Sequence, residues 1–412
     1  MDQELVAKTR KLLRALSERI SPTYFSIEKQ MYIGKEIISK LPDEGKLLLR
    51  NYMNQCLSHM RKIGASDIDL GGWGANRMIW FRVQGTKGPY PDAGTFDYSE
   101  TDILIQNLLM EMQREYLYQN KNLDFSYMFN DGDGTIYRNR ADAYFDMDAL
   151  ALNMRAIHTE IRIYSGYGFH PNVTRTLSLE YTKEGLILLT GITGSGKSTT
   201  LDSILNLNNE TVRAHIVIIA SPVEYVHSSK KCIIRHREIG RDTTSFRQGT
   251  VEALRQDPDI IVIGEMRDPQ TIVAALEAAD SGHKVLSTLH TSSAVESIDR
   301  IIAEVPPQEQ ERVKHRLADV LRCVISQKLV PGIDGKLILA KEVMVMIPSI
   351  RSAIKGDNTE EIYQMISEGQ KYGMITMEQD LMRLFDLRKI SKENAVNYSN
   401  NKRRMQQLLK AV

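Results

Sequence analysis

The run Gly191-Ile192-Thr193-Gly194-Ser195-Gly196-Lys197-Ser198 brings glycines, a lysine and a hydroxyl together directly after the apolar stretch Leu186-Ile187-Leu188-Leu189-Thr190. This is the pattern G-x-x-x-x-G-K-[ST] in the strand-to-helix context that gives it chemical meaning. Glycines let successive backbone N–H groups turn inward and cradle phosphate oxygens. Lys197 is placed to reach β- and γ-phosphates, and the Ser198 hydroxyl to sit on Mg²⁺. The following residues, Ser198 to Leu205, read as a helix start whose dipole adds to the anion site. A Gly-rich turn that binds nothing is the bland alternative, and further elements arriving in the right order count against it.

The first of these is Asp257-Pro258-Asp259-Ile260-Ile261-Val262-Ile263-Gly264-Glu265. An apolar strand ending in Gly and an acid delivers Glu265 to the strand's carboxyl end, where Mg²⁺ and its waters must be held. After the strand Ile216–Ile219 comes Ala220-Ser221-Pro222-Val223-Glu224. Glu224 is placed to polarise a water for attack on a γ-phosphate, which requires hydrogen-bond reach of that water. Spacing alone leaves an ordinary surface glutamate as an equal reading. After the next strand comes Ser287-Thr288-Leu289-His290. His290 is open to two readings, a γ-phosphate sensor or a satisfied structural histidine.

The elements that must position these residues form a mostly parallel sheet. Four-residue apolar runs at 186–189, 216–219, 260–263, 285–288 and 337–340 alternate with helical stretches. Such alternation implies a sheet sandwiched by helices, with ligands at the strands' carboxyl ends. This stretch, 176–346, is taken as one α/β domain. Residues 1–60 read as a helical extension, with Leu5, Val6, Thr9, Leu12, Leu13, Leu16 and Ile20 at helical spacing. Its basic face could lie on a membrane, and a packing helix with a solvated face is the reading adopted. Residues 61–170 alternate in short runs such as Met78–Val83, broken by Gly-rich turns, with a helix expected over Ile103–Tyr118; they form an α+β domain. Residues 347–412 form a small helical region. Val313, Leu317, Val320, Leu321 and Val324 have the spacing of one core helix. Asp131-Gly132-Asp133-Gly134-Thr135 resembles a calcium loop, but Ile136 stands where such a loop needs glycine, so a hairpin turn is expected.

Composition narrows the class. Of 412 residues, 42% are hydrophobic and 25% charged, ordinary values for a globular protein of two or three domains. A net charge of +1 gives no bulk case for nucleic-acid binding. The apolar runs are too short to span a bilayer, and an acidic start replaces the basic one of a signal peptide, so a cytoplasmic chain is expected. Cys56, Cys232 and Cys323 are far apart in sequence, which excludes a Cys-x-x-Cys knuckle and predicts buried thiols.

Taken together these elements resemble the secretion ATPase superfamily of type II and type IV secretion and type IV pili, and within it the PilT-type retraction ATPases. The segments GITGSGKSTTL, PVEYVHSSKKC, HREIGRDT, ALRQDPDIIVIGEMRDPQTI, ALEAADSGHKVLSTLHTSSA, VISQKLV and QMISEGQKYGMITMEQDL carry the resemblance between Gly191 and about Leu384, nearly half the chain. The resemblance implies a RecA-like P-loop core, a PAS-like N-terminal α+β domain and a small C-terminal helical region. Gly191 to Thr199 would bind ATP, with Ser198 and Glu265 on Mg²⁺ and Glu224 as the water-activating glutamate. His283 and His290 match the family's histidine box, also at the nucleotide. Arg138, Arg140 and Arg155 fall where N-terminal-domain arginines reach phosphates across a subunit interface. The expected protein is a homohexameric ATP-hydrolysing motor at the inner face of the cytoplasmic membrane. Its expected partner is an inner-membrane platform protein, with no direct nucleic-acid contact.

Three departures mark this chain. Ala220 and Ser221 replace two acids of the family's aspartate box, and a serine before the proline resembles the DotB/TraJ ATPases of type IVB secretion and conjugation. The carboxyl-terminal arginine motif reads Ser349-Ile350-Arg351-Ser352-Ala353-Ile354-Lys355-Gly356. The region before Gly64 is longer than in a compact retraction ATPase. Pilus retraction is the leading expectation from the resemblance, and these departures leave open whether the motor retracts a pilus or drives another machine. A type IVB or conjugation motor and a weakly hydrolysing regulatory subunit are its rivals.

Overall fold

The computed structural model describes residues 2–83, 85–131, 136–157 and 161–410. The candidate calcium loop falls mostly on 132–135, outside the described residues. The chain divides into two compact units, Met1–Thr159 and Glu160–Val412.

The first unit holds an antiparallel sheet of β1 (Ala65–Gly71), β2 (Trp80–Val83), β3 (Thr86–Pro89), β4 (Asn122–Asn130), β5 (Ile136–Asp146) and β6 (Ala149–Ala156), in the order β3-β2-β1-β6-β5-β4. Helices Gln3–Ser17 and Asp43–Lys62 put Leu13, Leu49, Met53 and Leu57 into the same hydrophobic cluster as Ile68, Leu150 and Met154 of the sheet. The first 60 residues are thus packed against the α+β sheet rather than standing apart from it. The helix expected over Ile103–Tyr118 is two helices, Tyr98–Leu108 and Glu111–Asn120, interrupted where Leu109 adopts extended backbone.

The second unit is built on β7 (Gly185–Thr190), β8 (His215–Ala220), β9 (Ile233–Glu238), β10 (Ile260–Ile263), β11 (Lys284–Leu289), β12 (Leu321–Pro331) and β13 (Leu337–Val345). Their order is β13-β12-β7-β11-β10-β8-β9, parallel throughout except for the β12–β13 hairpin. Every residue of β7, β10 and β11 is buried, as expected of strands covered by helices on both faces. The helix read through Val324 ends at Val320; Leu321 and Val324 belong to β12. A centrally buried strand is apolar on both faces, so its first residues extended the helical spacing of Val313, Leu317 and Val320. β9, whose charged sequence IIRHRE carries no apolar run, was not anticipated.

After β13 a set of short helices follows. Met377, Leu381, Leu384, Ala395, Met405 and Leu409 pack on Val330 and Ala340 of the hairpin. All three cysteines are buried, and burial pushes the Cys56 and Cys323 thiols up to about 12, so neither is a nucleophile at neutral pH. No helix among the described residues is long and apolar enough to cross a membrane.

Candidate nucleotide site

β7 delivers the chain to residues 191–196, and the helix Lys197–Thr211 leaves from them. Gly191, Gly194 and Gly196 have φ of +147°, +80° and +89°, a region that suits glycine. A Cβ at Gly191 would lie 2.5 Å from the Gln327 carbonyl on β12, so the first turn requires glycine sterically as well. The loop closes with the Ser195 N–H on the Ile192 carbonyl at 3.1 Å. The helix begins with no side-chain cap, which leaves the helix start without a side-chain acceptor for its first N–H groups. The Ser195 hydroxyl is buried and without a hydrogen-bond partner. A concave glycine backbone, an uncapped helix start and an unmatched buried hydroxyl together fit an anionic group.

Lys197 is 8% exposed, and its ammonium donates to the carbonyls of Gly191 (2.7 Å) and Ile192 (3.1 Å). Burial lowers its pKa from the ordinary 10.5, and Glu265 and then Glu224 oppose that shift. Lys197, Glu224 and Glu265 are therefore electrostatic neighbours although they follow three different strands. The parallel register explains this. Leu188, Ser287, Ile263 and Ile219 are aligned across β7, β11, β10 and β8, so the residues just beyond them share one sheet edge.

Glu265 accepts a hydrogen bond from Nε of Arg267 at 2.7 Å and lies 3.1 Å from Nε2 of His290. The His290 pKa is lowered, first by burial, then by the Lys197 ammonium, against the pull of Glu265. A neutral ring donating to Glu265 satisfies both facts. Ser198 and Thr199 are exposed in the first helical turn. No group of three or more His, Cys, Asp or Glu side chains among the described residues could hold a metal alone. The hydroxyl of Ser198 and carboxylate of Glu265 are hard oxygen donors, the kind Mg²⁺ takes when substrate phosphates complete its shell.

Two of the expected site residues have surroundings unlike those of the others. His283 precedes β11, at the amino end of the strand, where Lys284 pairs with Gly185. Its ring lies against Ser281 and the Ala278 carbonyl, roughly 17 Å of strand from the phosphate loop of its own chain at ~3.3 Å per residue. Its parallel strand separates it from His290, which emerges at the carboxyl end. Arg138 is 8% exposed in the first unit, with its guanidinium on Ser126 at 2.8 Å, so it offers no outward cation. Arg140 and Arg155 differ from it: they are cross-strand neighbours on β5 and β6, 47% and 67% exposed, held by Asp124 and Asp67.

Sequence reading missed three contributors. Arg267 stands two positions past Glu265 and was legible there. Arg300, donating to the His290 carbonyl at 3.1 Å, and Gln327, donating to the Thr200 hydroxyl at 2.8 Å, come from elements remote in sequence and left no local signal.

Fold and site together define a P-loop α/β nucleotide-site protein. The chain belongs to the type II/IV secretion system protein family, whose model matches residues 151–407. It is 36% identical to the type IV pilus retraction ATPase PilT of Pseudomonas aeruginosa over 343 residues, 83% of this chain and 96% of that protein. It is similar to the crystal structure of the pilus retraction motor PilT with bound ADP (TM-score 0.76, 34% identity, 86% of this chain and 98% of that one). It is also similar to the ATPase DotB of Legionella pneumophila (TM-score 0.66, 26% identity, 88% and 96%).

Proposed function

We propose that this protein is an ATP-hydrolysing motor subunit that powers a pilus or secretion machine, and that the machine is a type IV pilus undergoing retraction. The observation that carries the reading is the convergence of Lys197, Glu224 and Glu265 on one sheet edge beside a glycine loop shaped for phosphate. The kinship with pilus retraction ATPases supports the choice of machine.

In this reading the loop N–H groups and Lys197 hold the β- and γ-phosphates, Lys197 exchanging its carbonyl partners for phosphate oxygens. Glu224 accepts a hydrogen bond from the attacking water and aligns it for in-line displacement. Glu265 and His290 form a hydrogen-bonded pair beside the transferred group, and Arg267 holds Glu265 in place. Ser198 and Glu265 would hold Mg²⁺, which supplies charge neutralisation for the phosphates. Arg140 and Arg155 are the arginines available to a neighbouring subunit of a homohexameric ring, reaching its phosphates after exchanging Asp124 and Asp67 for them. Opening and closing of each subunit transmits hydrolysis to an inner-membrane platform protein at the cytoplasmic face.

A type IVB secretion motor is the second reading, favoured by Ser221 before Pro222 and by the likeness to DotB. Expression in a hyperpiliated strain lacking its own retraction motor separates the two. Restored twitching and reduced surface pili are expected. Unchanged piliation with a protein that hydrolyses ATP would turn the assignment to the other machine.

A further inference from the structure

The segment that carries Glu224 is fixed on both sides of it. The Val223 N–H donates to Glu238 Oε2 at 3.2 Å, and the His227 N–H donates to His236 Nε2 at 3.1 Å. Both acceptors belong to β9. A third tie leaves the sheet. The His227 ring, with Nε2 3.0 Å from Asp202 Oδ1, links the segment to the second turn of the phosphate-loop helix. The His227 side chain is 1% exposed and Asp202 23%. Tyr225 packs edge-on against the imidazole, with ring centroids 4.7 Å apart.

Stability alone does not call for a histidine there. Its Nδ1 is buried with no hydrogen-bond partner, a mismatch that an apolar side chain of similar size would remove. What the imidazole supplies is a directional bond between two elements: the helix whose first turn ends the phosphate loop, and the segment whose middle residue is Glu224.

We propose that His227 and Asp202 are positioning residues that hold Glu224 in register with the phosphate loop. The inference rests on the reading of Glu224 as the residue that aligns the attacking water. Neither side chain touches the reacting atoms. A water misplaced by an ångström costs orders of magnitude in turnover while leaving the bound nucleotide's contacts intact. The link therefore acts on kcat and not on nucleotide affinity.

The test uses the full-length protein with ATP and Mg²⁺. Steady-state hydrolysis and binding of a fluorescent ADP analogue are measured for the parent, His227→Leu, His227→Gln, Asp202→Ala, the His227→Leu/Asp202→Ala double variant and Glu224→Gln. His227→Leu is expected to lower kcat about 10- to 100-fold. KM and the analogue's Kd should stay within about threefold, and Tm should not fall. His227→Gln, whose amide N–H can take the place of Nε2–H toward Asp202, is expected to recover the larger part of the loss. The double variant is expected to be no slower than His227→Leu alone, because both changes break one link.

A His227→Leu protein turning over like the parent, beside an inactive Glu224→Gln, overturns the positioning role and leaves the Glu224 reading standing. Additive losses in the double variant, or a Kd that rises in step with the fall in kcat, overturn it as well. A Glu224→Gln protein as active as the parent removes the reading and this inference with it. Should His227→Leu fail to fold, Asp202→Ala at its partly exposed helix position carries the same comparison, and parental kcat there is equally fatal.

Discussion

Lys197 is the residue on which the site's electrostatics turn. Its ammonium is taken from water and given two loop carbonyls, with Glu265 and Glu224 near enough to counter part of its burial. Lys197→Ala is expected to lose nucleotide affinity at least ~100-fold, the scale of a charge-assisted contact to phosphate, in fluorescent-nucleotide titration. His290 gives a pH prediction. Its folded pKa lies below the ordinary 6.5, so the unfolded chain takes up a proton before the folded one does. What the neutral ring contributes is present above pH 6.5 and lost as pH falls through the lowered value. Turnover measured from about pH 8 down to about pH 5 should show an acid limb below 6.5, and His290→Gln should lack it. A limb at or above 6.5 would contradict the assignment. Much of this site was legible, because Gly191–Ser198, Glu224, Glu265 and His290 each come within a few residues after a β-rich run, and parallel register does the rest. His283, named from its match to the histidine box, precedes β11 at the strand's amino end while His290 follows the carboxyl end, a separation that a motif match does not reveal.

At the scale of elements, Glu342 on β13 ties two helices to the sheet. Its carboxylate accepts the N–H of Ala294 at 2.8 Å and of Met377 at 3.4 Å, the first residues of helices Ala294–Glu304 and Met377–Asp386. Burial nevertheless pushes its pKa up to about 7. Between its unfolded value near 4.5 and 7, the folded chain keeps a proton that the unfolded chain has released. Stability should therefore fall as pH rises through that window, by at most about 3 kcal/mol. Urea unfolding at a series of pH values should show that slope in the parent, and Glu342→Gln should flatten it. A stability that rises over the window in the parent alone would refute this account. Elements were less legible than motifs. Strands β7, β8, β10 and β11 announced themselves as apolar runs, whereas β9 is charged and β12 continues the spacing of the helix before it. The break at Leu109 has no Gly or Pro to mark it.

At the scale of the molecule, the two units have separate cores, one on an antiparallel sheet and one on a parallel sheet. The whole phosphate loop lies in the second unit, and the exposed Arg140 and Arg155 in the first. A ring in which one subunit's arginines serve another's nucleotide predicts that inactive subunits poison active ones. Titrating Glu224→Gln protein into the parent should depress turnover more steeply than simple dilution, and a strictly proportional decline would contradict a shared site. The Arg140→Ala/Arg155→Ala protein should bind nucleotide like the parent and hydrolyse it about 100- to 1,000-fold more slowly, the range for removing a donor that stabilises the transition state.

The central claim is that this loop and these two carboxylates make an ATP-hydrolysing centre. Phosphate release from ATP with Mg²⁺, compared among the parent, Lys197→Ala and Glu224→Gln, tests it most directly. The account predicts steady turnover in the parent and none in either variant, with nucleotide still bound by Glu224→Gln and not by Lys197→Ala. A parent that binds ATP tightly and releases no phosphate would contradict it, and would make Ala220 and Ser221 the mark of a regulatory subunit.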